Sequence, residues 1–312
     1  MLLIVLSFTA IAAMRVVQDV CGKKASNEVT PGVSFFRYGA YYNLLAALFS
    51  VIAFAIAGFK GFNLPTLLCA FLSAIFFTID LFATIITMKG APLTVCTIFS
   101  LGGLIVPTIG GVLMLNESVT YLQIIGLIIF LVGAYIHTQK GKKEGKSKKI
   151  SLYTYILLVV RLLANGCVMF VQKYFSIKVV GGNVSTFSFL TFTLNCLIML
   201  LCAIFLALKN KKKSLTTNES EEVLTPPTKT FCGLTKTLLI CGGLLAFAVF
   251  VINFVVTELG KTLPSVILFP VSNAISIVVT ALIGLLVFKE KLTVKSIIGL
   301  VVALAGIVFI GL

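Results

Sequence analysis

The chain has 312 residues, 59% of them hydrophobic and 11% charged, with a net charge of +15. Soluble domains carry roughly a quarter charged residues, so a water-facing globular fold is excluded, and a mean hydropathy of +1.13 assigns most of the chain to lipid. The lysines sit in connectors between apolar runs, which points to membrane orientation and anionic headgroups rather than to nucleic acid.

A spanning helix needs about 20 mostly apolar residues. The sequence predicts such spans at 1–20, 34–58, 64–87, 91–115, 119–138, 151–174, 184–208, 235–258, 262–287 and 293–311. The first lacks a basic n-region and a small-residue cleavage site and carries Arg15 late, so it reads as a helix and not as a signal peptide. The breaks carry turn chemistry: Thr30-Pro31-Gly32, Gly61-Phe62-Asn63, Gly181-Gly182-Asn183 and Lys261-Thr262-Leu263-Pro264. Thr120 with Gln123 forms a capping box opening the fifth span. The expected domains are a first five-helix repeat at 1–138, a basic linker at 139–150, and a second five-helix repeat at 151–312 that contains a flexible polar loop at 209–234 with Pro226-Pro227.

The halves are related in sequence. Glu117, Thr120, Gly126 and Gly133 recur as Glu290, Thr293, Gly299 and Gly306, each displaced by 173 residues, and Gly111 recurs as Gly284. A duplication of this length in an apolar chain is the common plan of secondary transporters, with inverted repeats around a site near the bilayer midplane. Lysines crowd the odd-numbered connectors, whereas the even ones hold only Lys60, Lys178 and Lys261. The positive-inside rule therefore predicts cytoplasmic odd connectors, including 140–149, and termini outside.

Cysteines such as Cys69, Cys167 and Cys196 lie inside apolar runs and behave as small hydrophobes. No Cys/His spacing suggests a metal, and no cofactor is expected. His137, at the end of a span, reads as an interfacial histidine. An intramembrane enzyme would need convergent nucleophile, base or metal ligands, and the sequence offers none. No GxxxxGK[ST] loop occurs, so a gradient or an exchange must supply the energy of transport.

The ten spans, the duplication and the Glu-x-x-Thr-x(5)-Gly-x(6)-Gly signature at Glu117 and Glu290 resemble the EamA-like branch of the drug/metabolite transporter superfamily. Lys89-x-x-Pro92 and Lys261-x-x-Pro264 resemble that family's junctions before the fourth and ninth helices, with a one-residue slip in the offset. The resemblance implies two inverted five-helix bundles, a central cavity, alternating access, and a metabolite or drug as solute. It also implies termini in the cytoplasm, against the lysine pattern.

Charges inside spans are costly and usually face the bundle interior. Asp80 and Arg161 each lie roughly 13–15 Å from a span end, near the midplane. They are the leading candidates for a substrate site, with a purely structural buried pair as the alternative. Asn165 lies one turn from Arg161 on the same face. Asn253 is the counterpart of Asp80 in the second half, and Asn273 is also near mid-span. A site lined by Asp80, Arg161, Asn165, Asn253 and Asn273 carries both signs of charge and suits a zwitterion or polar metabolite. Arg15 and Asp19 are spaced to pair along one helix. Lys173, close to its helix end, reads as interfacial. Glu117 and Glu290 read as acidic groups ahead of helix N-termini. Gly102, Gly103, Gly110 and Gly111 permit close helix approach, and Pro107 and Pro270 are expected to kink their spans.

The function so derived is secondary transport of a small polar or amphipathic organic solute by an all-α integral membrane protein, expected in the plasma membrane. The alternative is a non-pumping channel or lipid-handling scaffold of the same fold. The expected partners are the solute and the bilayer, with a second copy of the chain kept as a candidate.

Overall fold

The computed structural model describes residues 2–29, 32–90, 99–138, 151–216, 234–286 and 294–311. The linker 139–150, Pro92, the stretch 217–233 and Glu290 lie outside them, as do the side chains of Asp19, Lys89 and His137. The first half contributes α1 (Leu2–Glu28), α2 (Val33–Ile56), α3 (Leu64–Gly90), α4 (Ile105–Leu115) and α5 (Tyr121–Thr138). The second contributes α6 (Leu152–Lys178), α7 (Val184–Thr216), α8 (Lys236–Leu259), α9 (Ser265–Leu286) and α10 (Val294–Gly311). Helices α2, α3, α6, α7 and α8 are long and apolar enough to cross a membrane; the apolar stretches of the others are shorter.

Local chemistry sets the boundaries. Ser151 and Thr235 accept from the backbone N–H three residues on, capping α6 and α8. The Thr120–Gln123 box forms in both directions at the start of α5, at 3.1 and 3.3 Å. Asn116, at φ 55°, ends α4 in the left-handed conformation. The second connector turns at Gly61, whose φ is +85° and whose absent Cβ would stand 2.6 Å from the Asn183 nitrogen. Glycine is required there twice over, for conformation and for space.

Two boundaries differ from expectation. Helix α7 continues to Thr216, so the first residues of the expected loop at 209–234 are helical. In the fourth span, helix at 99–102 gives way to a turn at Gly103–Leu104 before α4 begins. Pro107 therefore does not kink a continuous helix. A proline ring clashes with the carbonyl four residues back; that residue is Gly103, and the helix is interrupted there. The Gly103 carbonyl accepts from Val106 N instead, at 3.1 Å.

The helices of the two halves interleave. Helix α3 packs on α6 as α8 packs on α1, α3 on α7 as α8 on α2, and α4 on α6 as α9 on α1. Exchanging the halves therefore exchanges the contacts. Two pairings map onto themselves, α2 with α7 and α5 with α10. In the second, Gly126 meets Gly306 and Ile310, while Gly133 meets Gly299 and Ala303, so the helices run antiparallel. A Cβ on Gly133 would stand 2.2 Å from the Ala303 nitrogen, and one on Gly306 would stand 2.5 Å from the Phe130 nitrogen. The duplicated glycines thus face each other across the seam between the halves. Lipid tails are as apolar as leucine, so this association depends on close packing rather than on the hydrophobic effect.

The outer surface carries Leu122, Ile125, Ile128, Ile298, Val301 and Val308, all exposed, as a lipid-facing surface requires. Polar side chains turn inward and bond carbonyls one turn back, as Asn43 does to Gly39 at 2.7 Å and Ser50 to Ala46 at 2.8 Å. Such back-bonding satisfies a polar group where no water is present.

Candidate functional site

Helices α3 and α6 meet along polar faces. Ser73, Phe77 and Asp80 follow at four- and three-residue steps on α3, and Arg161, Asn165, Val168 and Gln172 follow at helical spacing on α6. The helices run antiparallel, so Asp80 meets Arg161 at one end of the seam and Ser73 meets Gln172 at the other. Arg161 Nε stands 3.9 Å from Asp80 Oδ1. The structure therefore brings together the two charges singled out in the sequence, across the boundary between the halves. Their side chains are 11% and 27% exposed, and Asp80 Oδ1 accepts no hydrogen bond among the described residues. The pair is long.

Asn165 lies beside this pair but has a local partner. Its Nδ2 donates to the Ser100 carbonyl at 3.0 Å, tying α6 to the segment just before the break in the fourth span. Backbones touch here: a Cβ on Gly166 would stand 2.5 Å from the Gly103 oxygen. Asn273 donates to the Phe269 carbonyl in its own helix at 2.9 Å and is half-buried. Arg15 donates to Gln18 Oε1 at 2.7 Å, one turn on.

Asn253 belongs to the other end of the seam. It accepts from Gln172 Nε2 at 2.6 Å and donates to the Val249 carbonyl at 2.8 Å. Around it is a small pocket lined by Ser73, Phe77, Gln172, Ser188, Thr191 and Asn253, among others, with a cavity of about 10 Å³. That is room for roughly one water molecule. The Thr191 hydroxyl is buried there without a partner among the described residues. Asp80 and Asn253 are equivalent by sequence offset but do not share a depth. Asp80 lies ten residues before the end of α3, which leads into an odd connector; Asn253 lies six before the end of α8, which leads into an even one. Between them the seam runs eleven residues of α6, roughly 16 Å. The sequence signal for the pocket residues Ser73 and Gln172 is their place on the helix faces of Asp80 and Arg161.

Just beyond the pocket is a charged cluster. Lys173 lies at its helix end as expected but is enclosed by the protein, 2% exposed. Its Nζ donates to the Gly260 carbonyl at 2.8 Å and to the Leu263 carbonyl, and stands 3.1 Å from Glu117 Oε1. Glu117 does not serve the helix it precedes in sequence. Its Oε2 accepts from Ser265 N at 3.0 Å, at the first residue of α9 in the other half. The carboxylate does meet a helix N-terminus, but that of α9, because α4 delivers Glu117 against it. Gly111 makes room for this, since its Cβ would stand 2.3 Å from Glu117 Oε2. The recurrence of Gly111 with Glu117 as Gly284 with Glu290 was the available signal.

The comparisons with known proteins agree with this architecture. A solved crystal structure superposes with a TM-score of 0.70 at 11% identity, covering 97% of this chain and 94% of its own, a likeness that concerns the fold alone. No curated protein matches the sequence. The model of the EamA-like transporter family matches residues 147–312, more than half of the chain. An integral membrane protein with this helical architecture and this match belongs to the EamA-like transporter family.

Proposed function

We propose that the chain is a secondary transporter of a small polar organic solute that works by alternating access between two inverted five-helix repeats in the plasma membrane. The observation that carries this reading is the polar seam between α3 and α6, with Asp80 facing Arg161 across the two halves. A half-buried pair separated by 3.9 Å, with a carboxylate oxygen that accepts no hydrogen bond among the described residues, presents both signs of charge to a solute carrying the opposite ones. A zwitterion fits that description; a simple cation or anion satisfies only one partner. Asn253 and Gln172 offer neutral hydrogen-bonding groups further along the path, while Asn165 and Asn273, bonded to backbone carbonyls, line or brace it.

Inversion of the repeats is supported by the α5–α10 pair. Two helices that exchange under the sequence duplication and run antiparallel are related by an axis across them, hence in the membrane plane. A pocket with room for one water is too small for a metabolite, so entry requires the halves to move, which is the essence of alternating access.

The test is a thermal-shift screen of purified protein against zwitterionic amino acids, amines, carboxylates and polyols, followed by uptake into proteoliposomes. A native-state ligand raises apparent stability by mass action, about 2.7 kcal/mol at a hundredfold excess over Kd. Stabilisation by zwitterions with saturable uptake is expected. Flux that rises linearly with concentration, with no stabilising ligand, would instead indicate a channel or scaffold.

A further inference from the structure

We propose that Lys173 and Glu117 form a lock that holds one end of the solute path shut and must part when that end opens. The inference rests on the transport reading above. The lock stands directly over the pocket: Gln172 and Thr257 line the cavity, and Lys173 and Gly260 lie immediately beyond them on α6 and after α8.

Lys173 Nζ donates to the Gly260 and Leu263 carbonyls and pairs at 3.1 Å with Glu117 Oε1, which accepts no hydrogen bond among the described residues. Glu117 divides its carboxylate between this lysine and the α9 N-terminus, where backbone N–H groups lack helical partners and the dipole favours negative charge. The fourth connector of one half is thereby tied to the eighth connector and the end of α6 in the other. At the same end of the bundle the second and sixth connectors are tied as well, through Asn63 Nδ2 to the Val180 carbonyl at 3.3 Å and Thr186 Oγ1 to the Lys60 carbonyl at 2.5 Å.

A buried ion pair is a poor device for stability alone, because desolvation offsets most of the attraction and apolar replacements of the whole pair are often neutral. The same balance suits a switch. When the end opens, water rehydrates both charges, so the closed and open states stay close in free energy, as a cycling equilibrium needs. The contrast with the α5–α10 seam supports the assignment. At its glycines that seam is backbone against backbone, so it serves as the pivot about which the locked end moves.

The experiment uses a cysteine-free chain with Thr191→Cys as a reporter in the pocket and a membrane-impermeant thiol reagent. Labelling is timed from each face, in intact cells and in inverted vesicles. Glu117→Gln is expected to speed labelling at least about tenfold from the face carrying the even connectors and to slow it from the opposite face, as a population shift requires. Lys173→Met should act in the same direction. Unchanged rates at both faces in a folded Glu117→Gln protein overturn the proposal, and so does an equal rise at both. Should Glu117→Gln fail to fold, Gly111→Ala carries the test, because it displaces the carboxylate while keeping both charges. If neither variant folds, the pair is a structural brace and the proposal fails. Labelling needs no solute, so absence of uptake by the unmodified protein would sink the transport reading without deciding this one.

Discussion

Replacing Gly133 by alanine tests the seam that joins the halves. The new Cβ would stand 2.2 Å from the Ala303 nitrogen and 2.8 Å from the Gly299 oxygen, both backbone atoms. Ordinary contact begins at 3.4 Å, so α5 and α10 must separate by about 1.2 Å at this point. Overpacking of this kind costs about 1–3 kcal/mol. The upper part of that range applies here, since no side chain can turn aside and dispersion contacts are lost along the seam. Gly243→Ala is the matched control. Its Cβ would meet only Leu45 Cδ1 at 3.8 Å, and alanine is favoured over glycine in a helix interior by about 0.5–1 kcal/mol. The same chemical change at two helical glycines should therefore differ by about 2–4 kcal/mol. The chain has no tryptophan, so unfolding is best followed with a fluorophore that reacts as the buried Cys21, Cys69, Cys196 and Cys241 become exposed. Gly133→Ala should melt clearly below the unmodified protein and Gly243→Ala at or above it. Equal melting temperatures, within about 2 °C of each other, would refute the claim that backbone contact holds this seam.

The polar seam offers two further tests. Asp80→Asn should leave the melting temperature within a few degrees while abolishing or re-specifying uptake. A tightly bonded structural pair would instead lose about 3–5 kcal/mol on removal of one partner and recover much of it in the Asp80→Asn/Arg161→Met double variant. Asn165→Leu removes one of the two hydrogen bonds to the Ser100 carbonyl, which keeps the one from Gly103 N, at a cost of about 0.5–1.5 kcal/mol. It should lower the melting temperature and proteolytic resistance of the protein, and an unchanged melt would mean that the break before α4 is held by its glycine contacts alone.

Much of this architecture was legible because the bilayer constrains the sequence so strongly. Span lengths follow from its thickness, and the glycine-bearing signature appears twice at a fixed offset. Depth arithmetic along single helices brought Asp80 and Arg161 to one level, and they do meet. Asn253 matches Asp80 by sequence offset but not by depth, because the compared helices end at opposite faces of the bundle. Lys173 shows another limit. Position along α6 places that lysine near a helix end, but its surroundings come from the connectors after α4 and α8. Nothing in the local sequence marks those segments as its neighbours. Pro107 illustrates a milder limit: a kink was expected at the proline, but the helix is interrupted four residues earlier, at Gly103.

Transport by alternating access is tested most directly by counterflow. Proteoliposomes are loaded with unlabelled alanine, serine or glutamine and diluted into trace amounts of the same labelled amino acid. A carrier exchanges solute across the membrane, so the label should accumulate transiently above its external concentration and then decay, with a rate that saturates. Asp80→Asn should remove the overshoot. Equilibration without an overshoot, at a rate proportional to concentration and indifferent to Asp80, would contradict the carrier mechanism.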